Sequence, residues 1–413
     1  MQRGTSFPVM ATAATDLGRG DLLGSPLDLP CGLRLQNRLA KAAMSDSLGD
    51  GAGQPTDDQI ELYRRWAQAG LGLSIIGEVQ VDPRYPEKPG NLVLGADRDR
   101  PRFERLARAG GEAGSQLWPQ LGHAGALAHG PISRPVGPSA LNVDGLACAE
   151  LSLGEIEALP RLYADAAVRA RSDGFPGVEV HAGHGFLLSQ FLSPLFNRRT
   201  DGYGGSIEAR CRIVLEIVRQ IRADVGPEFA IGVKVNSTDQ IEGGLTEADS
   251  LVAIELLANE SIDLIDISGG TYFPGAPSSS DRAPAGPYFV EFAQRVRQTV
   301  ATPVMVTGGF KTRREASHAL ARGAADLVGV ARALVMDPEL PSHWLGPDPT
   351  DPHFPRFASS VPGGVTAWYT MRLTDVARGH ENQPDRSLED AVDEYEARDD
   401  QRVPAWQASF GST

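Results

Sequence analysis

Short apolar runs recur along the chain with room for a helix between successive members. They are "GLSIIGEV" (72–79), "GVEVHA" (177–182), "AIGVKVN" (230–236), "IDLIDIS" (262–268), "PVMVTGG" (303–309) and "ADLVGVA" (325–331). None alternates cleanly between apolar and polar, which is the pattern of parallel strands covered on both faces. Between them, "DDQIELYRRWAQAG" (57–70), "EARCRIVLEIVRQIRADVG" (208–226) and "EADSLVAIELLANES" (247–261) place apolar residues three and four apart, the helical period. "SLGE" (152–155) opens a further helical run as a capping box, with Ser152 serving the first-turn amides and Glu155 reaching back. "LAKAAM" (39–44) and "SQLWPQL" (115–121) bring the strand count to eight. Eight strand–helix units in about 300 residues predict a (β/α)8 TIM barrel, in the α/β class, rather than an open doubly wound sheet.

Two regions fall outside that count. Residues 26–36, "PLDLPCGLRLQ", alternate around a Pro-Cys-Gly turn and predict an N-terminal hairpin that plugs the lower mouth of the barrel. From 341 the chain opens Pro-rich, offers one amphipathic helix at "VTAWYTMRLTDVARG" (365–379), then turns acidic and polar. So short a segment supplies little core of its own. The reading is therefore one barrel domain over 26–340 and a helical C-terminal extension over 341–413, packed on the barrel or on a neighbouring subunit of a homo-oligomer.

Charge and composition narrow the partners. The 413 residues include 53 acidic and 39 basic side chains, a formal net charge of −14, which disfavours nonspecific binding to nucleic acid or anionic membranes. Cys31, Cys148 and Cys211 are far apart and form no CxxC pair, so no zinc site, iron–sulfur cluster or disulfide framework is expected. No apolar stretch approaches membrane-spanning length, and the first 21 residues hold no secretory h-region, so a cytoplasmic protein acting on a small molecule is expected.

In a barrel of this kind the chemistry sits on the loops after the strand C-termini. His181 and His184 follow "GVEV" directly and would lie at that face. A loop-packing role fits an arbitrary HxxH, and a zinc site lacks a nearby third ligand. Two imidazoles directed at one oxygen would instead stabilise negative charge developing there, as on an enolate. "TGG" (307–309) and "GVAR" (329–332) end the seventh and eighth strands, where barrels commonly hold phosphate; Gly308 and Gly309 would offer amides and Arg332 a cation. A plain turn is the other reading of Gly-Gly. Lys234 puts a cation in the barrel mouth, which either snorkels or meets an anion, and the reduced form of a flavin is anionic on its pyrimidine side. Gln120 offers an amide donor and acceptor for the same edge.

These motifs, in this order, resemble the Old Yellow Enzyme family of FMN-dependent NAD(P)H:flavin oxidoreductases, ene-reductases among them. The resemblance runs through most of 26–340 and rests on "LQNRLAKAAMS" (35–45), "WPQLGHAG" (118–125), "GVEVHAGHGFLLSQFLSPLFNRRTDGYGGS" (177–206), "EGGLT" (242–246), "ISGGTY" (267–272), "VMVTGGF" (304–310) and "GVARAL" (329–334). It implies non-covalent FMN, with NAD(P)H as reductant. Ala42, Ala43, Met44, Ser45 and Glu78 would contact the isoalloxazine, Gln120 and Lys234 its pyrimidine, and Gly308, Gly309, Ala331 and Arg332 the phosphate. His181 and His184 would hold a substrate carbonyl, with Phe186 and Tyr272 beside it. The implied reaction is reduction of the activated C=C bond of an α,β-unsaturated carbonyl; the alternative is oxidative, a flavin-dependent desaturase or demethylating dehydrogenase.

The chain departs from the family pattern at four places. Ser45 stands where many relatives use Thr or Cys, Ala43 replaces a Pro, Ala126 replaces an Arg, and Phe186 replaces a Tyr that donates the proton in many relatives. Substrate choice is expected to lie in the loops 122–150 and 271–287. The cysteine-rich cluster motif of the larger relatives does not occur in this sequence, which fits the form without an iron–sulfur centre.

Overall fold

The eight expected strands close on themselves in the structure, a computed structural model that describes residues 21–95, 100–143, 145–273, 286–357, 361–381 and 386–411. The staves are β1 (Leu39–Ser45), β2 (Leu73–Gln80), β3 (Gln116–Gly122), β4 (Gly177–Ala182), β5 (Ala230–Asn236), β6 (Leu264–Ser268), β7 (Val304–Thr307) and β8 (Leu327–Val330). Every neighbouring pair is parallel, and β8 pairs with β1 to close the (β/α)8 barrel. Helices predicted from the three-and-four spacing lie between them at Asp57–Gln68, Ile207–Val225 and Glu247–Ala258, and the capping box at Ser152 and Glu155 opens the helix Leu153–Ser172.

The barrel is filled from below. Leu27–Asp28 pairs antiparallel with Arg34–Leu35, and this hairpin's Leu27, Leu29 and Leu35 pack on Ala40, Leu73, Ile75, Trp118, Leu264, Met305 and Leu327 inside the staves. Trp118 is the largest of these and is fully buried. Two strands make room for its indole by omitting side chains: a Cβ on Gly177 would lie 2.8 Å from Trp118 Cε2, and one on Gly232 would lie 3.2 Å from its Cζ3.

The chain beyond the barrel is helical. The expected amphipathic helix is found at Gly364–Ala377. The acidic segment after it, read from sequence only as polar, forms the 23-residue helix Leu388–Phe410, started by Ser387 accepting from the Asp390 amide. Its apolar positions are few, but Leu388, Ala391 and Trp406 are buried. Arg402 donates to the Ser47 carbonyl at 2.8 Å and Trp406 Nε1 to the Pro83 carbonyl at 3.1 Å. This helix therefore lies on the loops after β1 and β2, beside the catalytic face.

Truncating Trp118 tests how far the barrel depends on that plug. Trp118→Ala leaves a cavity that the glycine-lined walls cannot close, and urea unfolding is expected to show a loss of about 3–5 kcal/mol.

Candidate active site

Above the apolar plug the interior turns polar. Lys234 on β5 is 1% exposed, and its Nζ forms an ion pair with Asp266 on β6 and stands 3.7 Å from Glu179 on β4. Gln120 on β3 donates to Glu179 Oε1 at 2.6 Å, and Thr307 on β7 donates to Asp266 Oδ1 at 2.8 Å. Five consecutive staves thus contribute to one belt of hydrogen bonds and ion pairs. Burial alone would lower the Lys234 ammonium, but Asp266 and then Glu179 outweigh it and hold the group above its ordinary value, firmly charged. Burial pushes the Glu179 carboxyl up to about 8, against the pull of Lys234. The sequence reading asked what anion would meet Lys234; Asp266 and Glu179 are the answer within the chain. Both sit in apolar strand runs at the positions that share the inward face with Ser268 and His181.

His181 ends β4 and is 2% exposed. Its Nδ1 faces Glu78 Oε1 at 3.1 Å, and its Nε2 faces His184 Nδ1 at 3.1 Å. His184 Nε2 in turn meets Ser268 Oγ at 2.7 Å. The two imidazoles are wired in series, each contributing one nitrogen to the space between them. Burial lowers His181 to about 3 and His184 well below its usual value, so both rings are neutral. Three contacts hold His184 in a left-handed backbone (φ 59°) that a non-glycine residue rarely adopts. Its amide donates to Asn236 Oδ1 at 3.0 Å, its carbonyl accepts from the Tyr272 amide at 3.1 Å, and it bridges to Thr271. Strain of this kind persists only where the surroundings over-determine it, and it gathers at functional sites.

Phe186 and Tyr272 complete the pocket wall. The Phe186 ring lies 4.9 Å from His181 and 5.9 Å from Tyr272, and Tyr272 lies 6.0 Å from His184. Phe186 is buried against Ala124, Ala128 and Tyr85, whereas Tyr272 is 57% exposed and faces the mouth. Across the barrel, Thr307 pairs with Gly329, which makes neighbours of the turns Gly308–Gly309 and Ala331–Arg332. Gly308 (φ 121°) and Gly309 (φ 82°) occupy conformations open to glycine, and a Cβ on Gly309 would strike the Gly286 carbonyl at 2.4 Å. The Arg332 guanidinium rests 5.7 Å over the Tyr369 ring of the C-terminal extension. Within the loop expected to shape the substrate space, residues 274–285 lie outside the described residues.

The sequence matches the model of the NADH:flavin oxidoreductase / NADH oxidase family over residues 23–344. The chain belongs to that family. It is 36% identical over 349 residues to an NADH-dependent flavin oxidoreductase of Hypocrea jecorina, covering 76% of this chain and 87% of that protein. Among solved structures, morphinone reductase in complex with tetrahydroNAD superposes with a TM-score of 0.67 at 26% identity, covering 80% of this chain and 93% of that one. A 2-naphthoyl-CoA reductase complex superposes at 0.73 and 28% identity, covering 78% of this chain but 51% of that one, so this chain spans about half its length. The protein is a flavin oxidoreductase, with FMN as cofactor and a nicotinamide as reductant.

The residues at the catalytic face fit FMN. Ser45 Oγ and Tyr288 Oη are buried without a hydrogen-bond partner among the described residues, and the Tyr288 ring lies against the Gly308–Gly309 turn. These are places where a polar ligand group would satisfy the protein. Ala42 is fully buried beside Gly329, where a Cβ would come 3.3 Å from that of Ala42, and Met44 approaches so closely that a Cβ on Gly77 would lie 2.7 Å from its amide nitrogen. We propose that Gly308, Gly309, Ala331 and Arg332 hold the phosphate, with Ala42, Ala43, Met44, Ser45 and Glu78 along the ring system and Gln120 and Lys234 at its pyrimidine edge. Reading the sequence did not find Glu179, Asp266, Ser268 or the Glu78–His181 contact.

FMN retention tests the phosphate turn. Gly309→Ala forces a Cβ onto the Gly286 carbonyl and strains φ, so the purified variant is expected to lose most of its bound flavin, read as the ratio of flavin to protein absorbance. Acid precipitation of the parent is expected to leave the colour in the supernatant; a yellow pellet would show a covalent link.

Proposed function

We propose that this protein reduces the C=C bond of an α,β-unsaturated carbonyl compound, drawing electrons from NAD(P)H. The observation that carries the reading is the pair His181 Nε2 and His184 Nδ1, both rings neutral, the first buried and the second half-buried, facing one another at 3.1 Å at the catalytic face. An oxygen entering between them can meet two nitrogens placed before the reaction begins, which is how an oxyanion is stabilised at least cost in reorganisation. Similar solved structures include two reductases and also a histamine dehydrogenase and an amine oxidase, so the reading rests on the histidine pair and its direction on the experiment below.

FMN, when bound, supplies the hydride-transfer chemistry. The chain's own residues do the rest: the histidines hold the carbonyl oxygen and stabilise the enolate, and Phe186 with Tyr272 confines the substrate. Phe186 has no proton to give, so the α-carbon takes its proton from solvent. Tyr272, with its ring 5.9 Å from that of Phe186, and Tyr85, packed on the same cluster, are the phenols beside Phe186.

Anaerobic stopped flow separates the two directions. After reduction by NADH, mixing with cyclohexenone is expected to reoxidise the flavin. Reduction of the oxidised enzyme by amines or saturated carbonyls, with no response to enones, would establish the oxidative alternative instead. In the same assay His181→Ala and His184→Ala are each expected to cost about 3 kcal/mol of transition-state stabilisation. Phe186→Tyr is expected to speed reoxidation; no gain there, paired with collapse of the parent rate in Tyr272→Phe, would place the acid on Tyr272.

A further inference from the structure

The segment that returns from the loop after β6 is built against the turn after β7. Phe289 wedges between the ends of these two staves, where both lack a side chain. A Cβ on Gly269 would lie 2.5 Å from Phe289 Cε1, and one on Gly308 would lie 3.2 Å from its Cε2. The Phe289 ring is buried, and the helix Val290–Thr299 starts directly after it. Tyr288 precedes that anchor, and its amide donates to the Gly308 carbonyl at 3.3 Å. Its ring stands at 81° to that of Phe289 and lies across the Gly308–Gly309 turn. A Cβ on Gly308 would meet Tyr288 Cδ2 at 3.3 Å, and one on Gly309 would meet Tyr288 Cε1 at 3.0 Å. Cε1 adjoins the carbon that bears the hydroxyl, so the hydroxyl is carried to the Gly309 side of the turn.

A phenylalanine would pack in the same place. What the tyrosine adds is a buried oxygen that has no hydrogen-bond partner among the described residues. Burying a hydroxyl in that way is unfavourable, because the bonds it made to water are not replaced. A ligand that brings an acceptor to the same spot removes the deficit. The turn beneath has the form of a phosphate cradle, with two consecutive glycines at positive φ (121° and 82°) after the seventh stave and Arg332 after the eighth. Amides and a guanidinium reaching a phosphate from those two turns leave further acceptor positions on its terminal oxygens, and a phenol donor can take one of them.

We infer that Tyr288 is a cofactor-binding residue whose hydroxyl donates to the phosphate of FMN, completing the site formed by the Gly308–Gly309 turn. This rests on the reading that this turn, with Arg332, holds the phosphate. A neutral donor suits the position: it adds a hydrogen bond to the anion without leaving another charge unmatched when flavin is absent. The contact also ties the start of the helix Val290–Thr299, and with it the return of the loop after β6, to the cofactor.

The test strips the full-length protein of flavin and titrates it with FMN and with riboflavin, which has the same ring system and no phosphate. Tyr288→Phe keeps the ring on the two glycines and removes the hydroxyl alone. It is expected to weaken FMN binding about tenfold or more, the contribution of one hydrogen bond to a charged group, and to leave riboflavin affinity unchanged. Release of FMN from the purified holoprotein on dilution, read by flavin fluorescence, should quicken in proportion. The flavin-free variant is expected to melt no lower than the flavin-free parent, since the hydroxyl it lacks had no partner. Equal FMN affinity in parent and variant, or an equal loss of FMN and riboflavin affinity, would overturn the inference. A lower melting temperature of the flavin-free variant would also overturn it, by giving the hydroxyl a partner within the protein. Arg332→Gln examines the underlying reading and is expected to weaken FMN while sparing riboflavin; unchanged FMN affinity there would overturn the phosphate-turn reading, whatever Tyr288→Phe shows.

Discussion

A lysine inside a barrel is tenable only if its charge is met there, and much of the catalytic face follows from how Lys234 is met. Isolating an ammonium from water costs several kcal/mol, and breaking a buried pair by removing one partner typically costs about 3–5 kcal/mol. The chain meets Lys234 from both neighbouring staves, with Asp266 registered directly opposite it on β6 and Glu179 on β4. Thr307 then satisfies the outer oxygen of Asp266, and Gln120 donates to Glu179 Oε1, the oxygen that faces Lys234. On the remaining arc the walls are small: a Cβ on Gly329 would strike Thr307 Oγ1 at 2.2 Å and come within 3.3 Å of the Ala42 Cβ. The interior is thus charged on one side and bare on the other, a shape that suits a flat ligand with one polar edge.

The same belt fixes where the histidines stand. His181 is the Cα partner of Lys234, so the register that pairs charge at β5 also delivers the imidazole to the rim of β4. Beyond the staves, precision comes from backbone exceptions rather than from added side chains. Among them are the register shift that carries Glu78, the missing side chain of Gly122, the left-handed His184 clamped by Asn236 and Tyr272, and the paired left-handed glycines at 308 and 309. Of these, the left-handed His184 is the strained one, and it persists because its surroundings over-determine it.

The barrel was legible because its signals are local and repeated: both-face apolar runs, helical spacing between them, and a capping box that the structure reproduces at Ser152 and Glu155. The histidine pair was legible as a constellation, since two residues three apart at a strand end need no long-range information. Its wiring was not. Glu78 and His181 are 103 positions apart in the chain and meet across an intervening strand, through a register shift that breaks the two-residue parity a reader relies on. Lys41 and Lys234 look alike in sequence, each a lysine within an apolar strand. Yet Lys41 hydrogen-bonds the Tyr63 hydroxyl at 3.1 Å and lies over the Trp66 ring, and burial lowers it to about 8, while Asp266 and Glu179 hold Lys234 above its ordinary value. The terminal helix Leu388–Phe410 was missed because its buried residues are sparse, and docking beside the barrel mouth, rather than a continuous apolar stripe, holds it in place.

The central claim is that the space between the two imidazoles is where the substrate oxygen sits. A crystal structure of the FMN-loaded protein with a para-substituted phenol examines that directly. The account predicts the phenol oxygen between His181 Nε2 and His184 Nδ1, within hydrogen-bond distance of both, with the 3.1 Å contact between the rings opened to admit it. A phenol bound elsewhere over the flavin, with the two histidines still bonded to one another, would contradict it.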